Sequence, residues 1–153
     1  MGLFSFFKKK DIFSPEQHQL IVDAVRVAEK ETSGEVRVFV ESRCRFVDPL
    51  DRASELFFGL KMDQTAQRNG VLVYIAIKDQ QLAILGDDGI HQKVGDEFWQ
   101  REVRKMISEF NREHYADGIA KVVTDIGLAL KTHFPYEGDI DKNELPDDIV
   151  FGK

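Results

Sequence analysis

The residues with the clearest chemical potential are Gly86-Asp87-Asp88-Gly89, followed a short distance later by Asp96. Carboxylate oxygens are the ligands that Ca²⁺ and Mg²⁺ prefer in proteins. Glycines allow a sharp backbone turn and leave neighbouring carboxylates free to point at a ligand. Asp and Gly are also ordinary turn residues, so a polar turn that only ends a strand is the alternative.

The surrounding residues, RNGVLVYIAIKDQQLAILGDDGI (68–90), predict the element that positions these acids. Residues 71–77 are uniformly apolar, which is typical of a strand buried on both faces. Residues 82–85 resume as a second strand after a break too short for a crossover helix, so the pair must be an antiparallel hairpin. The hairpin brings Arg68-Asn69-Gly70 beside Gly86-Asp87-Asp88-Gly89.

The flanking segments predict helices and one more strand. Ser14 and Asp48, each followed by proline, are expected to cap two helices, and residues 35–41 alternate in the manner of a strand. A strand–helix–strand order implies a right-handed crossover between parallel strands. Asp96 is expected to cap a long helix, and a last helix is expected from about Asp117 until Pro135 stops it.

Together these elements predict an α/β fold, a Rossmann-like three-layer α/β/α sandwich with a small mixed β-sheet. The sequence predicts three strands, and residues 90–94 and the tail at 149–151 are the candidates for a fourth. We divide the chain into an N-terminal arm (1–13), an α/β domain (14–135) and an acidic C-terminal tail (136–153).

Length and composition are those of one globular core. The chain has 153 residues, of which 42% are hydrophobic and 31% charged. A net charge of −6 argues against nucleic-acid binding. The single cysteine, Cys44, excludes an internal disulfide. A single cysteine fits a reducing compartment, and the sequence shows no signal peptide or membrane-spanning stretch. We therefore expect a cytoplasmic protein.

The N-terminal arm carries Leu3, Phe4, Phe6 and Phe7 and then Lys8-Lys9-Lys10. Such apolar residues are buried either by docking on the domain or by weak contact with an anionic membrane surface. We expect docking, because the apolar pattern continues through Ile12 and Phe13 into the Ser14 cap.

Other metal motifs are absent or incomplete. The run Asp139-Ile140-Asp141-Lys142-Asn143 begins like an EF-hand, but Glu144 stands where that loop needs glycine. The histidines show no zinc-binding spacing, and no P-loop is present.

The strand directions predict that residues 32–35, 68–70 and 86–89 meet at one end of the sheet. The predicted metal ligands at that end are Asp87, Asp88, Asp96 and Asn69, with Ca²⁺ or Mg²⁺ as the cation. Clustered carboxylates would repel one another without a cation. Arg68 lies beside them and is a candidate phosphate contact.

The order of these elements resembles the TPM domain family over about residues 14–134. The similar pieces are SGEVRVFVE, Asn69-Gly70 before the second strand, the G-x-x-G loop after the third, and HYADGIAKVV. The resemblance implies an α/β sandwich that binds divalent cations, often calcium, and acid phosphatase activity has been ascribed to a plant member. Asp87-Asp88 replaces the aromatic residue usual in that loop. Many members have a signal peptide and a transmembrane helix, and this sequence shows neither.

Two functions are compatible with these residues. The first is a non-catalytic interaction module in which a bound cation orders the acidic loops and a protein partner reads that surface. The alternative is a metal-dependent acid phosphatase acting on phosphomonoesters, with Arg68 on the phosphate and a metal-bound water as nucleophile. We favour the module, because no residue is an evident general base.

Overall fold

The computed structural model describes residues 12–46, 48–136 and 149–152. The elements in chain order are α1 (Pro15–Lys30), β1 (Glu35–Glu41), α2 (Pro49–Gly59), β2 (Gly70–Ala76), β3 (Gln81–Gly86), α3 (Asp88–Asn111), α4 (Tyr115–His133) and β4 (Val150–Phe151).

The strands form one mixed sheet in the order β3-β2-β1-β4. β1 and β2 are parallel, with Val36 opposite Val71, and β2 pairs antiparallel with β3. The predicted hairpin and the predicted parallel pairing of β1 with β2 are therefore confirmed. The fourth strand comes from the tail, where Val150 lies opposite Phe39 of β1, while residues 90–94 are helical.

The sheet is covered on both faces, which confirms the three-layer α/β/α sandwich. Side chains of one face of β1, such as Val36 and Val38, pack with buried residues of α1, α3 and α4 in one core. On the other face, Phe39 and Tyr74 pack with Phe57 of α2. Successive side chains of a strand point to opposite faces, so alternate residues of β1 belong to the two different cores.

The starts of α1 and α2 follow the sequence signals. The Ser14 hydroxyl accepts a hydrogen bond from the Gln17 backbone N–H (3.1 Å), and the Gln17 side chain accepts one from the Ser14 N–H (2.9 Å). Asp48 accepts from the Leu50 N–H at 2.9 Å. Each such cap satisfies a backbone donor that has no partner inside the helix and is worth about 1 kcal/mol.

Helix α3 begins earlier than predicted. Its N-cap is Asp87, so the segment before Asp96 is helical rather than a loop. Gly95 interrupts the helix directly before Asp96, with a φ of 79° that favours glycine. The expectation of a helix starting at Asp96 therefore missed the first segment of a kinked helix.

Two segments of the chain for which the sequence made predictions lie outside the described residues. They are residues 1–11 of the N-terminal arm and residues 137–148 of the tail, which hold the incomplete EF-hand motif. Among the helices of the described part of the chain, none is long and apolar enough to cross a membrane.

Candidate functional site

Three loops meet at the end of the sheet where β1 and β2 begin and β3 ends. The Glu35 N–H donates to the Asn69 carbonyl at 3.3 Å, and the Asp87 N–H donates to the Gly70 carbonyl at 2.9 Å. The predicted convergence of these segments is thus present, and it follows from the strand directions alone.

Arg68 and Asp87 form a bidentate ion pair at this edge. Arg68 Nε lies 2.7 Å from Asp87 Oδ2, and Nη2 lies 2.8 Å from Oδ1. The hydrogen bonds to Asp87 and its negative charge raise the pKa of the Arg68 guanidinium. Asp87 Oδ1 also accepts from the Asp88 N–H at 2.8 Å, capping α3. Both carboxylate oxygens of Asp87 are therefore occupied by partners within the chain.

The two glycines of this segment permit close packing rather than a sharp loop. The Gly89 N–H donates to the Arg68 carbonyl at 2.8 Å, and a Cβ at Gly89 would lie 2.1 Å from the Gln67 carbonyl oxygen. A Cβ at Gly86 would lie 2.3 Å from the Trp99 ring. The glycines thus allow the start of α3 to press against the loop before β2, which differs from the role that the sequence predicted.

Asn69 is almost completely buried, at 1% exposure. Its Nδ2 donates to the Ser33 hydroxyl at 3.2 Å, and its backbone N–H donates to the Thr65 hydroxyl at 3.2 Å. Its Oδ1 has no hydrogen-bond donor among the described residues. A buried acceptor without a donor costs roughly 1–3 kcal/mol, so this oxygen marks a place where a water or a cation would be stabilising.

Asp88 and Asp96, in contrast, project into solvent, with side chains 79% and 83% exposed. Asp88 Oδ2 lies 3.9 Å from Arg68 Nη2, and Asp96 Oδ1 lies 3.4 Å from His91 Nε2. Within the ranges that the structure describes, no group of three or more His, Cys, Asp or Glu residues could hold a metal ion. The edge therefore brings together Asp87, Asp88 and Asn69, whereas Asp96 contacts His91 of α3, and the described residues form no ligand cluster.

The opposite end of the sheet holds a cleft of about 840 Å³ and a buried polar cluster that sequence reasoning missed. Glu41 accepts from Arg52 Nε and Nη2, each at 2.9 Å, and from the Tyr74 hydroxyl. Burial and the Glu41 charge raise the pKa of Tyr74. The available signal was the strand period, which places Glu41 on the same face as Phe39, towards α2.

A second missed group lies between α3 and α4. Glu102 is 1% exposed, and its carboxylate lies 3.2 Å from Lys105, which also contacts Asp125 at 2.9 Å. Burial, followed by the hydrogen bond to Asp125, raises the pKa of Glu102 to about 7. The signal here was helical spacing, since Trp99, Glu102 and Met106 share one face of α3.

Comparison with known proteins fixes the family. The sequence profile of the TPM domain matches residues 7–129, most of the chain. The chain belongs to the TPM domain family. The BA42 protein from the psychrophilic bacterium Bizionia argentinensis is 40% identical in sequence to this chain, and its NMR structure matches with a TM-score of 0.83. That match covers 92% of this TPM domain protein and 95% of BA42.

Two more distant structures share the fold of this TPM domain. The N-terminal domain of a P. gingivalis protein is 15% identical, covers 82% of each chain and has a TM-score of 0.60. The N-terminal domain of cg2496 from Corynebacterium glutamicum is 16% identical over 77% of this chain and 74% of that one, with a TM-score of 0.57. No curated protein matches the sequence.

Proposed function

We propose that this TPM domain is a non-catalytic interaction module whose Asp87–Asp96 end binds Ca²⁺ or Mg²⁺. The observation that carries the proposal is the Arg68–Asp87 pair, with contacts of 2.7 and 2.8 Å. Phosphoryl transfer at this edge would need a free cationic side chain for the phosphate and a carboxylate free for chemistry. Here each of those two groups neutralises the other.

The remaining donors support a cation site of modest affinity. Asp88 is an exposed carboxylate 3.9 Å from Arg68, and Asp96 is a second exposed carboxylate further along α3, beside His91. Asn69 Oδ1 is an oxygen acceptor at the edge of the sheet without a donor among the described residues. Ca²⁺ tolerates flexible shells completed by backbone carbonyls and water. Asp88 and Asp96 would hold the ion, and Asp87 would hold Arg68 in place rather than bind the metal. The ordered surface would then be read by a protein partner.

A phosphatase acting on phosphomonoesters is the second candidate. One observation favours it, because the Arg68 side chain is still 45% exposed beside Asp87 and can reach a ligand in solvent. In this case Arg68 would leave Asp87 in part to contact the phosphate. The buried Asp87 carboxylate would then lose its counter-charge, and this cost makes the phosphatase the less favoured function.

An NMR titration with CaCl₂ and with MgCl₂ tests the cation site, in parallel with turnover of p-nitrophenyl phosphate. We expect saturable shifts at the amides of Asp88, Gly89 and Asp96, and no turnover above that of the Asp87→Asn protein. Asp88→Asn combined with Asp96→Asn should abolish the shifts. Asp51→Asn, at an exposed acid in the first turn of α2, is the control and should leave them unchanged. Metal-dependent turnover that Asp87→Asn removes would establish the phosphatase instead.

We also propose a cytoplasmic setting with Cys44 reduced. The support is that Cys44 is the single cysteine of the sequence and is a free thiol in the structure. Cell fractionation with thiol labelling tests this, and recovery of most of the protein outside the cytoplasm would contradict it.

A further inference from the structure

An apolar groove of about 570 Å³ runs along the outside of the domain between α1 and α4. The two helices are parallel and meet closely. Thr32, after α1, pairs with Pro135, after α4, and a Cβ at Gly127 would lie 2.6 Å from the Ala28 Cβ. The walls of the groove are mainly apolar and include Leu20, Ala24, Val27 and Ala120. Leu20 is 41% exposed and Val27 69%, so apolar surface is left uncovered along its length.

The rim of the groove is acidic. Asp23 on α1 and Asp117 and Asp125 on α4 line it, together with a single cation, Lys121. Asp125 is paired with Lys105 of α3, whereas Asp117 lies in the first turn of α4. A ligand that suits this surface would combine large apolar side chains with positive charge.

The N-terminal arm has this composition. Residues 1–11 carry Leu3, Phe4, Phe6 and Phe7, followed by Lys8-Lys9-Lys10. We propose that this arm docks in the groove between α1 and α4, with its phenylalanines against the apolar walls and its lysines beside Asp23 and Asp117. The inference is independent of the proposed cation site, which lies at the end of the sheet.

The length of the arm matches the groove. The described chain begins at Ile12, before the start of α1, and the parallel arrangement brings the start of α4 to the same end. Leu20 and Val27 lie about 9 and 20 Å along the helix axis from Ser14, at 1.5 Å per residue. Phe13 contacts Phe151 of β4, so the arm must cross the start of α1 before it enters the groove. An extended chain running back from Ile12 reaches about 17 Å at Phe7 and about 27 Å at Phe4, which is enough for the crossing and for contact with Leu20. The lysines would therefore lie near the mouth and the phenylalanines along the floor.

A paramagnetic NMR experiment on the full chain tests the docking. A nitroxide is attached to Ser5→Cys in a Cys44→Ser background, and the loss of amide signals is mapped. We expect the largest loss in residues 20–28 and 117–128, and little loss in α2 on the far face of the sheet. Loss spread evenly over the surface, or concentrated elsewhere, would overturn the proposal.

Val27→Asp should restore the groove signals at least several-fold, while Leu50→Asp, an equally drastic change at an exposed position of α2, should not. Both positions are exposed, so the fold is expected to survive, which thermal melts check. Two further samples distinguish other occupants. If signal is lost only when vesicles of phosphatidylcholine and phosphatidylglycerol (7:3) are added, the arm binds a membrane surface and not the groove. If signal is lost only in a mixture of labelled and unlabelled molecules, the arm binds a second copy of the chain. Either result would overturn intramolecular docking.

Discussion

Tyr74 of β2 donates its hydroxyl hydrogen to Glu41 of the neighbouring strand β1, inside the layer between the sheet and α2. Tyr74 is fully buried and Glu41 is 4% exposed. Arg52 of α2 supplies the balancing charge through two hydrogen bonds to the same carboxylate. A buried carboxylate is tolerated here because all of its partners are present.

Tyr74→Phe should therefore destabilise the folded state, although the aromatic ring is kept. The Glu41 carboxylate would lose one donor and stay buried, which we expect to lower the free energy of unfolding by about 1.5–3 kcal/mol. Chemical denaturation measures the change. Tyr136→Phe is the control, since Tyr136 is 52% exposed and should change stability little.

Arg68→Ala should lower the melting temperature by several degrees. The change leaves the Asp87 carboxylate, 5% exposed, without its counter-charge. Arg43→Ala removes an ion pair of similar length to Asp79, but that arginine is 69% exposed, so its melting temperature should stay close to that of the parent. Equal melting temperatures for the two variants would show that the Arg68–Asp87 pair has no special structural role.

Gly89→Ala should destabilise the domain. A methyl group would overlap the carbonyl oxygens of Gln67 and Arg68, at 2.1 and 2.6 Å, and backbone cannot yield as a side chain can. We expect a loss of at least 1–3 kcal/mol, about the cost of overpacking. At Gly59 nothing lies within 4 Å of the added Cβ, so Gly59→Ala should instead be neutral or stabilise by about 0.5–1 kcal/mol.

Glu102 should make stability fall as pH rises. Its pKa in the folded protein, about 7, is above the ordinary value of 4.5 because of burial and then because of Asp125. The folded state therefore binds the proton more tightly than the unfolded state. Between about pH 5 and 8 the free energy of unfolding should decrease by roughly 2–3 kcal/mol through this group.

Urea denaturation at several pH values measures that slope for the parent and for Glu102→Gln. Glutamine keeps the shape without the titration, so its profile should be flatter over this range. Glu97→Gln, at an exposed position of the same helix, should keep the slope of the parent. A parent profile that rises with pH would contradict the assignment.

The sheet and most helix boundaries could be predicted because local chemistry determines them. The run at residues 71–77 is short, apolar and rich in β-branched and aromatic residues, which favours a buried strand. Ser14 and Asp48 cap their helices by local hydrogen bonds. The start of α3 could not be placed as well. From the sequence we expect the cap at Asp96, whereas the helix is capped at Asp87, where Gly89 packs against the carbonyls of Gln67 and Arg68.

The chemistry of the acidic edge was harder to predict for a similar reason. The sequence brought Arg68 and Asp87 to one place but could not show that the guanidinium takes both carboxylate oxygens. It also could not show that Glu41 and Glu102 are buried, because a single charged residue within an apolar pattern is usually exposed. Whether these charged side chains are buried and paired depends on partners that are distant in sequence and close only in the folded structure.

The pairing of the segments after α1 and α4 has a consequence for synthesis of the protein. Thr32 binds the Phe134 carbonyl across 102 residues of chain, and α1 buries its apolar face largely against α4. Translation at 5–20 residues per second separates the two segments by about 5–20 s. During that interval the apolar face of α1 lacks its main partner, so this face is open to chaperones on the ribosome until α4 has been made.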